Sequence, residues 1–244
     1  MLELLSAGRR HVRRLWVADD QEPAPQLDEI ERLAASAKVR VEIVPRGRLD
    51  RAARTETPQG VVAWAPPLVP VSLEDLAGAG RGVPFLLVVA GVTDPHNLGA
   101  LLRSAECAGA TGVVLPRHRT ARVTPTVAKV AAGAIEHLPF CVVPGIPAAL
   151  SRLSDLGIWS VGLAHDARRS LFDLGTADAP VALVVGNEER GLAPLVRRRC
   201  DEVVTIPQRG SIDSLNVAAA GAVASFEVAR RRGAATGGAE TPRR

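Results

Sequence analysis

The chain has no tyrosine, only two lysines (Lys38 and Lys129) and three cysteines, and its apolar runs are all short. None approaches the roughly 20 residues of a membrane-crossing helix. The first residues carry Glu3 and soon several arginines where a secretory leader would need an apolar core. We therefore expect a cytoplasmic protein without a membrane partner. Cys107, Cys141 and Cys200 are odd in number and far apart, which argues against a disulfide framework and for reduced, mostly buried thiols. His96, His118, His137 and His165 are scattered without ligand spacing, so no metal is expected. Three catalytic signatures are also absent. There is no G-x-G-x-x-G after the first strand and no G-x-x-x-x-G-K-[ST], which speaks against ordinary dinucleotide binding and P-loop chemistry. The missing G-x-S-x-G speaks against a serine hydrolase.

What is present points to a globular protein with a polyanionic partner. The chain has 244 residues, 47% of them hydrophobic, enough to bury one large or two modest cores. Thirty Lys and Arg against 26 Asp and Glu give a net charge of +4, carried almost wholly by arginine, with a pI near 9.6. That balance suits RNA, although arginine richness without tyrosine is also what a biased genome produces.

Two units follow from the patterning. An alternating run over residues 11–18, a helical pattern over 27–37, and strand-like runs over 39–44 and 60–65 make a small α/β unit, placed at residues 1–70. Within it, Arg46, Arg48, Arg51 and Arg54 form a dense arginine segment, readable as a solvated helix face or as an RNA-facing surface. Pro66, Pro67 and Pro70, then Gly78 to Gly82 around a short helix, suggest a linker over 71–82. Strand and helix patterns then alternate through residues 83–232, the sign of a mostly parallel, helix-covered sheet, and 233–244 reads as a flexible tail. Gly109 to Gly112 is a helix-to-strand turn. The last helix, expected over 214–231, is apolar and small on two faces: Leu215, Ala219, Ala222 and Phe226 on one, Val217, Gly221, Ala224 and Val228 on the other. It is buried on both sides, either within one chain or with a second subunit on one of them.

Three polar-glycine segments each follow a strand-like run, and ligands in open α/β sheets bind at such strand ends. They are Asp94-Pro95-His96-Asn97-Leu98-Gly99 running on to Arg103, Gly186-Asn187-Glu188-Glu189-Arg190-Gly191, and Ile206-Pro207-Gln208-Arg209-Gly210 leading to Ser214-Leu215-Asn216. One site built from all three is the natural reading, with backbone amides and carbonyls beside Asn97, Arg103, Glu188 and Asn216. Asn97 falls at a helix start, where it would also serve as an N-cap. Arg103, read as core-facing, needs an anion: a substrate phosphate, Glu106 or Glu188. Glu188 is placed either to orient that arginine or to accept hydrogen bonds from backbone amides. Asn216 is also a candidate helix-terminus residue.

These segments resemble, in order, the three motifs of the SpoU/TrmH-type RNA ribose 2′-O-methyltransferases of the SPOUT superfamily: D-P-x-N-x-G-A-x-x-R-x-A, G-x-E-x-x-G and I-P-M-x-G-x-x-x-S-L-N-V. The similarity runs over residues 85–230, including Ala132-Gly133-Ala134 and Glu136-His137-Leu138-Pro139. The front segment, with Gln59-Gly60-Val61-Val62-Ala63, resembles the small substrate-binding domain of the 23S ribosomal RNA guanosine 2′-O-methyltransferase branch, although it lacks the usual glycine-led entry before Leu4. The resemblance implies a deep trefoil knot in the second unit and a homodimer packed through it. It implies an S-adenosyl-L-methionine site at Val185, Gly186, Asn187, Gly191, Ile206, Pro207, Ser214, Leu215 and Asn216. Arg103 would clamp a substrate phosphate and stabilise the developing alkoxide, with Glu188 and Asn216 orienting it and Asn97 fixing the loop. The implied substrate is 23S rRNA or its precursor particle. Transfer RNA guanosine methylation, thiostrepton-type resistance, and a catalytically silent RNA-binding or ribosome-assembly factor are the alternatives. The chain departs from the pattern at Gln208, where Met is common, and at Ala218, where Ser is common and would place a hydroxyl near the donor pocket.

Overall fold

Alternation along the first strand builds two small cores, one on each face of a three-stranded sheet. In the computed structural model, which describes residues 1–235 except Arg54, Glu56, Thr57, Ala79, Arg81, Thr176, Ala177 and Asp213, that strand is β1 (Arg14–Ala18). It lies between a parallel β2 (Val41–Val44) and an antiparallel β3 (Val61–Trp64). Leu15 and Val17 pack against Leu5 of α1 (Leu2–Ser6) and against Ile30 and Ala34 of α2 (Pro25–Ser36). Trp16 and Ala18 meet Leu49 of α3 (Arg46–Ala52) on the other face.

The segment expected as a linker carries α4 (Leu73–Ala77), closed by a reciprocal cap between Ser72 and Asp75. Leu76 is buried in the core of the second unit, and the Val71 amide donates to the Phe140 carbonyl at 2.8 Å. The expected tail lies outside the described residues from position 236 onward.

The second unit follows the expected alternation: β4 (Phe85–Val89), α5 (Pro95–Cys107), β5 (Gly112–Pro116), α6 (Pro125–Val130), β6 (Phe140–Val143), α7 (Ile146–Asp155), β7 (Trp159–Leu163), β8 (Arg169–Ser170), β9 (Val181–Val185), α8 (Pro194–Arg199), β10 (Glu202–Thr205) and α9 (Val217–Ala235). Its seven strands, ordered β6-β5-β4-β9-β7-β10-β8, pair in parallel throughout. Along β4, Leu87 and Val89 face the core under α5 and α6, while Leu86 and Val88 face α7 and α8. Burial on both faces explains why these strands read as unbroken apolar runs. The two-residue β8 and the 3-10 turns at Ala134–Glu136 and Leu171–Asp173 went unanticipated because they are too short to show a period.

Helix α9 packs one face on α5 and the sheet, where a side chain at Gly221 would come within 2.2 Å of Leu101. Ala218, Ala224 and Val228 are buried on that side. The opposite face leaves Ala219, Val223 and Phe226 exposed, with Leu215 exposed just before the helix, so only one of its two expected faces is covered within a single chain. The far end is fixed by Arg232, whose guanidinium donates to the carbonyls of Val83, Pro84 and Ala179 and lies over the Phe85 ring. Ala218 sits in the apolar core with Val185 and Leu101, so its methyl group packs there. Among the three thiols, Cys107 is exposed, against the expectation of mostly buried cysteines, because it ends α5 on the solvent side. Burial pushes the Cys200 thiol up to about 12, with Asp201 adding to the effect, which leaves it inert.

The two units touch through charge as well as packing. Glu136, only 3% exposed, receives Arg10 through two nitrogens, one of them Nε at 2.9 Å, and its carbonyl accepts from Arg9. Arg10 also donates to the Pro66 carbonyl, and Glu3 of α1 pairs with His137 at 2.6 Å. Removing Arg10 would leave a buried carboxylate without its main partner. We expect Arg10→Ala to lower unfolding free energy by on the order of 2–3 kcal/mol in chemical denaturation, with Glu136→Gln in the same background recovering part of the loss.

Candidate active site

Loop geometry at the carboxyl ends of β4 and β9 is set by one carboxylate. The chain leaves β4 through Gly91 (φ +111°) and buried Val92, then enters α5, whose N-cap is Asp94; its side chain accepts from the His96 amide at 2.9 Å. With Pro95 opening the helix, Asn97 lies in the third helical position and is not the cap the sequence suggested. It is a bridge instead. Its Oδ1 accepts from Asn216 Nδ2 at 3.0 Å and its Nδ2 donates to Glu188 Oε1 at 3.4 Å.

The second loop closes on itself. Asn187 and Gly191 exchange backbone hydrogen bonds of 2.9 and 3.0 Å, and Gly191 takes φ +60°. A Cβ at Gly186 would lie 2.2 Å from the Gly191 carbonyl carbon and 2.5 Å from the Leu192 nitrogen, so only glycine fits. The Asn187 Oδ1 accepts from the amides of Glu189 and Arg190, and its Nδ2 donates to the Gly91 carbonyl and to Glu188. Both its backbone and its carboxamide are thus engaged in shaping the loop. Glu188 then reaches across to accept from the amides of Thr93 and Asp94, each at 3.1 Å. Burial works to raise the Glu188 carboxyl but is outweighed by hydrogen bonds from its own amide and from Asp94, Asn97 and Thr93, so its pKa falls below the usual carboxylate range. It is an anion at neutral pH, held by donors. Of the two roles open to it in the sequence, it takes the acceptor of backbone amides.

The third loop reaches this pair through Asn216. Its Oδ1 accepts from the amides of Ala218 and Ala219 at 2.8 and 3.3 Å, capping α9, while its Nδ2 makes the bond to Asn97. That cap explains why α9 starts at Val217 and not at the expected 214. The structure thus joins Asn97, Glu188 and Asn216 in one hydrogen-bonded chain across three strand-end loops.

Arg103 stands apart from that chain. It is exposed, not core-facing as expected, and makes no ion pair with Glu106, Glu188 or any other described residue. Six residues beyond Asn97 on one helix, it is turned about 120° around the axis and lies about 9 Å along it. The expected orientation of Arg103 by Glu188 and Asn216 is therefore not built.

Around the proposed cofactor residues, Val185 and Gly186 are buried, Ile206 is half-buried, and Pro207, Ser214 and Leu215 are exposed. Gln208 Nε2 and Thr205 Oγ1 both donate to the Ile206 carbonyl. Ile212 and Leu215 expose 75% and 42% of their surface on this loop.

In the front unit, the arginine segment divides. Arg46 is held by Asp20, at 2.8 Å, and by Gln21. Arg48 stacks on Trp16 at 4.5 Å, Arg51 is exposed, and Arg54 lies outside the described residues. Sequence reasoning missed Arg14. The antiparallel register sets it opposite Trp64, over whose ring it lies at 4.2 Å, and Trp64 meets Trp16 edge-on at 4.8 Å. Both stacked guanidiniums keep their in-plane N–H groups unpaired among the described residues. Alternation of Arg14 and Trp16 in the sequence was the available signal. The pairing with Trp64 was not visible there. No cluster of three or more His, Cys, Asp or Glu that could hold a metal occurs among the described residues, nor any helix long and apolar enough to cross a membrane.

Comparison with known proteins adds to this geometry. Residues 84–226 match the model of the SpoU rRNA methylase family, and residues 1–70 match that of the RNA 2′-O ribose methyltransferase substrate-binding domain. A 23S rRNA (guanosine-2′-O-)-methyltransferase RlmB from Ralstonia nicotianae is 42% identical over 85% of this chain and 83% of its own length. One from a Burkholderia species is 45% identical over 82% and 81%. The crystal structure of the SpoU methyltransferase AviRb from Streptomyces viridochromogenes in complex with the cofactor AdoMet superposes with a TM-score of 0.77, at 25% identity, covering 94% of this chain and 86% of that one.

The depressed pKa of Glu188 has a measurable consequence. Because the folded value lies below the unfolded one, its stabilisation is complete above the ordinary glutamate value of about 4.3 and fades as pH falls through the lowered folded value. Glu188→Gln should cost about 1 kcal/mol at pH 7, an amount limited by its partial exposure. The gap in melting temperature between wild type and Glu188→Gln should be constant from pH 6 to 8 and narrow below about pH 4.

Proposed function

The chain belongs to the SpoU rRNA methylase family, and from that membership we propose that it methylates the 2′-hydroxyl of a guanosine ribose in 23S rRNA, with S-adenosylmethionine as donor. The observation that carries this reading is the hydrogen-bonded chain Asn216–Asn97–Glu188, which locks together the three loops that the family motifs supply. When bound, S-adenosylmethionine supplies a methyl group activated by its sulfonium. Val185, Gly186, Gly191, Ile206, Pro207, Ser214, Leu215 and the Asn216 backbone would hold it, and Asn187 and the Asn216 carboxamide would shape the loops around it.

Methyl transfer to a ribose oxygen is an in-line displacement, so the protein must align the two reactants and favour loss of the hydroxyl proton. Arg103, always charged and without an internal partner among the described residues, is suited to clamp a substrate phosphate and to stabilise negative charge on the attacking oxygen. A guanidinium is too weak a base to take that proton. Glu188, committed to amide donors, serves to fix the Thr93–Asn97 turn and not to orient Arg103. In the front unit, Arg14, Arg48 and Arg51 are the proposed RNA contacts, Arg14 and Arg48 pre-set by their tryptophans to offer flat donor edges to phosphates.

The further readings are a cytoplasmic location, a trefoil knot formed by the chain through β9, β10 and α9, and a homodimer. The uncovered stripe Ala219, Val223 and Phe226 on α9 supports a second copy as its occupant, since an apolar face of this kind is normally covered. Sedimentation should show a dimer that Phe226→Asp converts to monomer.

Transfer of labelled methyl groups from S-adenosylmethionine to unmodified 23S rRNA and to tRNA tests the reaction. We expect incorporation into 23S rRNA, with Arg103→Ala lowering kcat/KM by about 100- to 1,000-fold while cofactor binding is unchanged. Incorporation into tRNA alone would replace the substrate, and cofactor binding without incorporation into either would favour a silent RNA-binding factor.

A further inference from the structure

Residues 117–122 follow β5 at its carboxyl end, beside the loop that receives Glu188. Arg117, His118, Arg119 and Arg122 are all exposed there, and none of their side chains makes a hydrogen bond or ion pair with a described residue. Arg10, Arg46, Arg152, Arg169, Arg197, Arg230 and Arg231, by contrast, each find a carboxylate. The cause lies in the sequence: residues 107–135 contain no Asp or Glu at all, so this cationic loop has no acid near it in the chain.

The loop is also held in place. The Thr120 hydroxyl and the Ala121 amide both donate to the Val92 carbonyl, each at 2.8 Å, and Ala121 is buried beside Val92. Arg117 extends the strand edge by donating its amide to the Val143 carbonyl at 2.8 Å. Between these anchors Arg119 takes φ +61°, a left-handed conformation that a branched or long side chain adopts only when its surroundings impose it. The Arg119 carbonyl and the Asn187 Cβ each lie 3.8 Å from where a Cβ on Gly91 would stand, so Gly91 is bracketed by the basic loop and the Glu188 loop. One residue after Val92, the Thr93 amide binds Glu188. The cations are therefore mounted on the same backbone that shapes the site.

We propose that residues 117–122 form a phosphate-binding rim for the RNA strand flanking the target nucleoside, with Arg117, Arg119 and Arg122 as the contacts. Phosphate is the fitting ligand because three guanidiniums without carboxylates, carried on an anchored backbone, match spaced anions on a nucleic-acid backbone, and arginine is the commonest donor to phosphate oxygens. The inference rests on the RNA methyltransferase reading above and adds residues that lie outside the three motif segments and outside the front unit.

The test is binding and turnover of a 23S rRNA fragment across a salt series with the full chain. Arg117→Ala/Arg119→Ala/Arg122→Ala should flatten the slope of log affinity against log salt by about 2, at roughly 0.7 per lost phosphate contact on single strands, and raise the RNA KM about 10- to 100-fold. Cofactor affinity and kcat at saturating RNA should be unchanged. Arg198→Ala/Arg199→Ala on α8 removes two exposed charges elsewhere and should leave the slope near wild type. Arg119→Gly separates charge from folding, since it relieves the left-handed strain: the melting temperature should hold or rise while the RNA KM increases. An unchanged slope and KM in the triple variant, with wild type active, would overturn the rim. Equal losses in both multiple variants would also overturn it, as they would show general charge attraction. If the wild type binds RNA with a slope that the triple variant reduces, yet transfers no methyl group, the rim stands and the methyltransferase reading fails.

Discussion

The Glu188 carboxylate accepts from two successive backbone amides, Thr93 and Asp94, and from the carboxamides of Asn97 and Asn187. A charged acceptor with that many donors stays ionised and holds two strand-end loops at one separation. Asn97 then passes the constraint to Asn216, which caps the last helix. Each member therefore has a structural and a spatial role. Losing any one frees loops that the sheet alone does not fix, because the strands end before the site begins.

Close backbone approach supports the same arrangement from below. Gly186 lets the chain turn back against Gly191, and Gly221 lets α9 settle on Leu101 of α5. The first sets the shape of the middle loop, and the second seats the helix whose N-terminus carries Asn216. Arg232 ties the other end of α9 to the entrances of β4 and β9, so that the helix is fixed at both ends across the central strands.

Much of the fold was legible because burial imposes a period. Unbroken apolar runs announced a two-sided parallel sheet, and alternation over residues 11–18 announced a strand of a small α/β unit, whose two cores only the structure showed. Helix boundaries were less legible. A cap such as Asp94 or Asn216 is a single residue whose choice between capping and another role depends on what lies opposite. Arg103 was misjudged as core-facing because the helical period locates faces only once the neighbours of a helix are known, and α9 and α6 occupy the faces that the pattern left open.

From the sequence alone came the kinds of residues at the site, the order of the three loops and the excess of arginine, since each is local in the chain. Tertiary structure decided which of these residues meet. It joined Asn97 to a residue 119 positions away, left Arg103 without a partner among the described residues, paired Arg46 with Asp20, and set Arg14 opposite Trp64 through a strand register. The reason is physical: type and period are written along the chain, whereas hydrogen-bond partners and ion pairs are fixed by distances of about 3 Å between segments that only folding brings together.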